Sequence, residues 1–155
     1  MPTIHLTTVI HAPVERVFDL SRSITLHKRS MAHVREEANK GRMNGLITNN
    51  ETVTWRARHL GKTRALTSRI TDMRSPEYFC DEMEQGDFSF LRHEHHFKEI
   101  ANGTVAIDIM EFGVPYGVFG KWLGRFYLKR YLTHLLELRN KTIKGYAERE
   151  KGPGD

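Results

Sequence analysis

The chain has 155 residues and a mass of 18.0 kDa; 39% of its residues are hydrophobic and 28% are charged. That is enough apolar material for one packed domain, which excludes wholesale disorder, and two full domains would be cramped. A single cysteine excludes a disulfide framework, no run approaches the roughly 18 apolar residues of a membrane span, and the net charge of +5 by itself admits a nucleic-acid partner.

The charge is segmented rather than even. Residues 22–74 hold 12 basic and 4 acidic residues, residues 75–115 hold 2 and 9, and residues 116–151 hold 9 and 3. The first residues lack the basic start and apolar stretch of a signal peptide, so a cytoplasmic protein is the expectation. Residues 1–150 read as a single domain, and Lys151 to Asp155 reads as a disordered tail.

The opening, Thr3 to His11, alternates imperfectly and carries three threonines, which predicts a strand. Ala12-Pro13 stops it. Val14, Val17, Phe18 and the nearby Leu20 then follow at helical spacing, so residues 13–21 are predicted as a short amphipathic helix with Pro13 in its first turn. Residues 23–50 are polar, basic and interrupted by Gly41, Gly45 and Asn49-Asn50. They read as a short helix followed by a mobile crossing segment, which is either a solvated connection or a lid.

From Thr52 the period becomes two. Val53, Trp55 and Ala57 share a face; Leu66, Ser68 and Ile70 share the next; then come Phe79, Asp81 and Met83, then Leu91, His93, His95 and Phe97, then Ala106, Asp108, Met110 and Phe112. Gly61-Lys62, Ser75-Pro76, Gly86-Asp87 and Asn102-Gly103 separate these runs, the last being the strongest hairpin signal in the chain. Five successive strands with short turns predict an antiparallel meander. From Tyr116 to Glu150 the apolar residues recur at three- and four-residue steps. About 30 helical residues would span roughly 45 Å. Their apolar band is too wide for a solvated helix and must lie against the sheet, leaving a space that is either filled or a cavity. The nine basic residues of positions 116–151 read as the solvated edge of this helix.

With Asn102-Gly103 as the two-residue turn, Phe97 faces Asp108, His95 faces Met110 and His93 faces Phe112. A three-residue turn at 86–88 places Asp81 opposite His93. His93, His95, Asp108 and Asp81 would then share the inner face, while His96 points the other way. Such a cluster is either a hydrogen-bonded buried network, a polar contact for a ligand, or an acid-base pair. His93 and His95 with Asp81 or Asp108 also have the types to ligate a metal, but two histidines two apart occur on any such strand, and no metal or cofactor is expected. Cys80 has no basic or histidine motif around it to activate a thiolate. Gly113, Gly117, Gly120 and Gly124 form no phosphate loop. Phe119, Trp122, Phe126 and Tyr127 form a stripe that is either core or ligand contact.

The order of elements resembles the START-like helix-grip superfamily, also called SRPBCC, and the match extends to particular residues. Ala12-Pro13-Val14-Glu15-Arg16-Val17-Phe18 is similar to that superfamily's common start. Ile70 to Pro76, Phe79 with Asp81-Glu82, Gly86, His93-Glu94-His95-His96-Phe97, Asn102-Gly103-Thr104, Asp108, Val114-Pro115-Tyr116-Gly117 and Arg139 resemble the bacterial ligand-binding SRPBCC proteins labelled cell-division inhibitor-like or polyketide cyclase-like. Relatives often carry Trp where this chain has Leu66 and Leu91, and Pro where it has Asp87, so the cavity shape is expected to differ.

The resemblance implies an α+β helix-grip fold, with a curved antiparallel sheet of six to seven strands around a long C-terminal helix. It also implies a cavity for a small hydrophobic or amphipathic molecule. Trp55, Ile70, Phe79, Met83, Met110, Phe112, Trp122 and Phe126 are the expected walls, and Asp81, His93, His95 and Asp108 the polar end. Two alternatives stand beside ligand binding: a cyclase, dehydratase or hydrolase of polyketide-like substrates using His93 or His95, and a regulatory interaction module. For the latter, apolar Val105, Ile107 and Ile109 on the outer face suggest a partner or a homodimer. The basic surplus then reads as outer surface, and no nucleic-acid partner is expected.

Overall fold

A computed structural model of the chain describes residues 2–114 and 124–149. Strand β1 (Thr3–Ile10) leads into helix α1 (Val14–Ser21) and helix α2 (Ile24–Ser30), followed by a 3-10 turn (Ala32–Val34). Six strands follow: β2 (Glu37–Gly41), β3 (Thr52–His59), β4 (Lys62–Arg74), β5 (Tyr78–Gln85), β6 (Phe90–Ile100) and β7 (Gly103–Gly113). A π-helical turn (Gly124–Leu128) opens into α3 (Lys129–Arg149). The seven strands form one antiparallel sheet in the order β1-β7-β6-β5-β4-β3-β2.

The predicted crossing segment between residues 23 and 50 contains more order than its composition advertises. Ser23 caps α2 by accepting the Leu26 amide at 3.1 Å, satisfying one donor that a helix start leaves open. Ile24, Leu26 and Met31 are buried. Strand β2 pairs with β3 as the sheet's edge, a position where polar and basic residues face solvent without cost.

The hairpin of β6 and β7 differs from expectation by two residues. Ile100 pairs with Gly103, so Ala101-Asn102 is the turn and Gly103 is already in the strand. The reason is tertiary: β1 crosses so closely that a Cβ on Gly103 would collide with the Ile10 carbonyl. The slip pairs His95 with Asp108, His93 with Met110 and Leu91 with Phe112. Because it is an even number, every side chain keeps its face. The β5–β6 register is as expected, with Asp81 opposite His93. Register shifts in β2 and β4 mark bulges, which bend a sheet; those in β4 flank the pairing of Ile70 with Asp81.

The sheet's inner face meets the helices in two apolar layers. In one, Phe18 of α1 stands edge-on to Phe79 and Phe97, with ring centroids 5.6 and 5.5 Å apart, and Ile143 and Ala147 of α3 close the layer. In the other, Ile4, Leu91, Met110 and Phe112 pack against Leu136 of α3. On the convex side Val105, Ile107 and Ile109 are each half-buried. The long helix is shorter in its described part than the sequence period suggests. Residues 116–123, including Phe119 and Trp122, and the predicted tail at 151–155 lie outside the described residues. No described helix is long and apolar enough to cross a membrane.

Candidate functional site

Between the two layers lies a cavity of about 340 Å³. Its apolar walls come from alternate residues of the curved strands, Val53, Trp55 and Ala57 on β3, Leu66 and Ile70 on β4, Phe79 on β5, Leu91 on β6 and Met110 on β7, and from Leu128, Leu132, Leu135 and Leu136 before and along α3. Helix α2 contributes Ile24 and His27, and the His27 ring lies 4.4 Å from that of Trp55.

One cluster of polar groups converges on one part of this wall. Phe79, His95 and His93 stack in succession, with centroids 4.0 Å and then 3.7 Å apart. His95 Nε2 meets Asp81 Oδ2 at 2.8 Å, and His93 Nε2 meets Asp108 Oδ1 at 2.7 Å. Each bond is diagonal to the strand pairing, since Asp81 sits opposite His93 and Asp108 opposite His95. The other oxygen of Asp108 accepts the Asn140 amide at 2.7 Å, and Arg139 Nη1 lies 3.6 Å from Asp108 Oδ1. Arg139 is fixed in turn by donating to Asn140 Oδ1 and to the Ser21 carbonyl. His95 Nδ1 is buried without a hydrogen-bond partner, 3.4 Å from Asp108 Oδ1.

The electrostatics follow from this geometry. Burial pushes the Asp108 carboxyl up. The His93 hydrogen bond, the His95 ring and the Arg139 charge outweigh it and hold Asp108 well below the usual carboxylate range. Asp81 moves the same way, burial being overcome first by the hydrogen bond to His95. His93 is pushed below the usual imidazole value, chiefly by burial and then by the neighbouring His95. The site therefore holds ionised carboxylates against a neutral His93 imidazole, with the Arg139 guanidinium as counter-charge.

The expected site residues separate into three groups. Trp55, Ile70, Phe79, Asp81, His93, His95 and Met110 all border the cavity. Asp108 stands behind the imidazoles, 3% exposed and away from the main cavity, while Met83 and Phe112 pack in the apolar layer beside Leu91. Phe126 is 56% exposed and Tyr127 57%, so Phe126 does not join the wall; the π-helical turn holds one more residue per hydrogen-bonded ring than an α-turn and shifts the phase of the apolar stripe there. Trp122 lies outside the described residues. Cys80 is buried, and burial pushes its thiol up, away from nucleophilic use.

Two residues of the site are absent from the expected set. Arg139 and Asn140 belong to a segment whose charge reads as a solvated helix edge, yet both are 5% exposed. The signal is present in the sequence: they fall on the buried stripe that runs through Leu136, Ile143 and Ala147. A second polar group sits elsewhere on the wall, where His27 Nε2 lies 2.6 Å from the largely buried Glu36 carboxylate. His59 Nδ1 and the Tyr131 hydroxyl, 2.7 Å apart, join β3 to α3 at the cavity.

No sequence-family model and no curated protein sequence matches this chain. Solved structures do. The Zhui aromatase/cyclase from Streptomyces sp. R1128 aligns with a TM-score of 0.78 at 13% identity, over 98% of this chain and 96% of its own. A START superfamily protein from Mycobacterium smegmatis gives 0.70 at 12% identity, over 95% and 97%. TTHA0849 from Thermus thermophilus gives 0.72 at 18%, over 92% and 97%. At these identities the likeness concerns architecture. The chain has a START-like helix-grip fold, the architecture that it shares with these solved structures.

Proposed function

We propose that the protein takes up a small, mostly apolar molecule with one polar end, seated in the cavity between the sheet and α3. The observation that carries this reading is the convergence of Asp81, His93, His95 and Arg139 on one part of a mostly apolar, roughly 340 Å³ space. Small-molecule sites have this composition: apolar walls supply affinity and a few placed polar groups supply orientation. Native mass spectrometry of gently purified protein, followed by displacement of an aromatic dye by a panel of lipids and aromatic acids, tests it. Saturable one-to-one uptake is expected, and failure of every probe to displace or be displaced would sink it.

A second reading is a cyclase, dehydratase or hydrolase of polyketide-like substrates. It draws on the placement of the His95–Asp81 pair, which borders the cavity rather than standing behind its wall, and on the likeness to an aromatase/cyclase. His95→Gln with the fold retained should abolish turnover of a polyketide-like substrate; unchanged turnover excludes it. A cytoplasmic location belongs to the same proposal and is checked by cell fractionation. Self-association through the convex face around Ile107 is checked by light scattering.

A further inference from the structure

We propose that Asp81, His93 and His95 bind one divalent transition-metal ion of the zinc or ferrous-iron kind, at the polar part of the cavity wall. One ligand atom from each lies within 4.8 Å of the others, and all three side chains border the cavity. Two imidazoles and a carboxylate suit borderline first-row cations and leave coordination positions open on the cavity side.

The residues behind the three are arranged as outer-shell partners of a metal site. Asp108 accepts the His93 Nε2–H at 2.7 Å, which fixes the proton on Nε2 and leaves Nδ1 as a lone pair. No hydrogen bond is made by His93 Nδ1 among the described residues. A ligating histidine characteristically gives its other ring N–H to a carboxylate in this way. Asp108 is itself held by Asn140 and Arg139, so the His93 ring cannot turn without breaking a buried network.

His95 supplies an independent observation. With its Nε2–H donated to Asp81, its Nδ1 is a buried lone pair with no donor, facing an Asp108 oxygen 3.4 Å away. Buried polar atoms left in this state are costly. An ion between His95 Nε2 and Asp81 Oδ2 removes the conflict. The His95 proton then resides on Nδ1, where Asp108 accepts it, and both imidazoles donate to one carboxylate. The charges agree as well: two carboxylates, Asp81 and Asp108, face one guanidinium, Arg139.

The inference rests on the ligand-cavity reading for what fills the open coordination positions, but the ion is measured without any organic guest, so the two fail separately. Chelator-stripped full-length protein is titrated with ZnCl2 and with CoCl2 by calorimetry, and ring resonances of the Co(II) form are recorded by NMR. One ion per chain is expected, with the paramagnetically shifted ring protons assigned to His93 and His95. Asp81→Asn and His93→Gln should weaken affinity more than tenfold, and Asp108→Asn by about 10- to 100-fold. His134→Ala, at an exposed histidine of α3, should change nothing. Circular dichroism establishes that each variant is folded, and the wild-type NMR arm needs no variant. Absence of stoichiometric binding, shifted resonances at His11, His96 or His134 instead, or full affinity in folded Asp81→Asn would overturn the proposal.

Discussion

Asn140 of α3 donates its side-chain amide to Asp108 of β7 over 2.7 Å, and that bond ties the long helix to the second strand of the sheet, beside the edge strand β1. Its partner is a buried, ionised carboxylate, so the bond is charge-assisted and cannot be replaced by water from outside. Asn140→Ala leaves one Asp108 oxygen without its donor. We expect a loss of about 1–3 kcal/mol in unfolding free energy, the cost of an unsatisfied buried group, read from urea denaturation. Asn140→Asp, which sets a second carboxylate against the first, should cost more than Asn140→Ala.

Cavity volume and stability should separate at Ser68. This residue borders the cavity from β4, is 7% exposed, and its side chain has no hydrogen bond among the described residues. Ser68→Leu places apolar volume in the space between sheet and helix. Stability should be held or raised, while dye affinity falls about tenfold or more, equivalent to about 1.4 kcal/mol. Undiminished dye uptake in a folded Ser68→Leu protein would place the guest elsewhere.

Gly103 fixes the pairing of β6 with β7 by letting β1 pass close beside it. A methyl group there meets the Ile10 carbonyl, which is backbone and cannot rotate away. Gly103→Ala should therefore cost about 1–3 kcal/mol through displacement of β1, detectable as a lowered Tm and as faster amide exchange in Thr3–Ile10. Gly61, in the open β3–β4 turn, has no atom within 4 Å of an added Cβ, so any cost of Gly61→Ala comes from its positive φ of 77° alone.

Acid should destabilise the metal-free protein in two stages. His93 faces Asp108 of β7, Asp81 of β5, His95 of its own strand and, beyond Asp108, Arg139 of α3. Its imidazole is held below the ordinary value of about 6.5, so its contribution is complete above that pH and is lost as the unfolded chain takes up the proton below it. Asp81 and Asp108 are also depressed, so theirs is present above the unfolded carboxylate value near pH 4 and is lost as the pH falls through their lower folded values. Urea midpoints should fall as the pH drops below about 6.5 and again below about 4. In His93→Gln the first fall should shrink, and in Asp108→Asn the second. An unchanged profile in both would remove these groups from the account.

The local order of this molecule was legible because side-chain direction is a local property. Alternation in a strand is set by the pleat of the backbone, so Asp81, His93, His95 and Asp108 fall on one face whatever the register, provided any slip is even. The two-residue error at the β6–β7 turn was of that kind. It left the face intact and changed only the partners, pairing His95 rather than Phe97 with Asp108. The succession of elements was legible for the same reason, since the change of period from two to 3.6 is written in adjacent residues.

Contacts between elements were not legible in this way. Nothing near Gly103 in sequence announces that Ile10 will press against it, and nothing near Asp108 announces the amide of Asn140, 32 positions away. The diagonal reach of each imidazole past its paired residue depends on where α3 docks and which carboxylate that docking buries. The same docking turns Arg139 inward although its charge argues for solvent, and the π-helical turn leaves Phe126 outward although its aromatic ring argues for the core. Local sequence dictates which side chains share a face and makes that face polar at Asp81, His93, His95 and Asp108. Packing of the whole chain selects which of them open onto the cavity and which stand behind, because that depends on long-range contacts that form together.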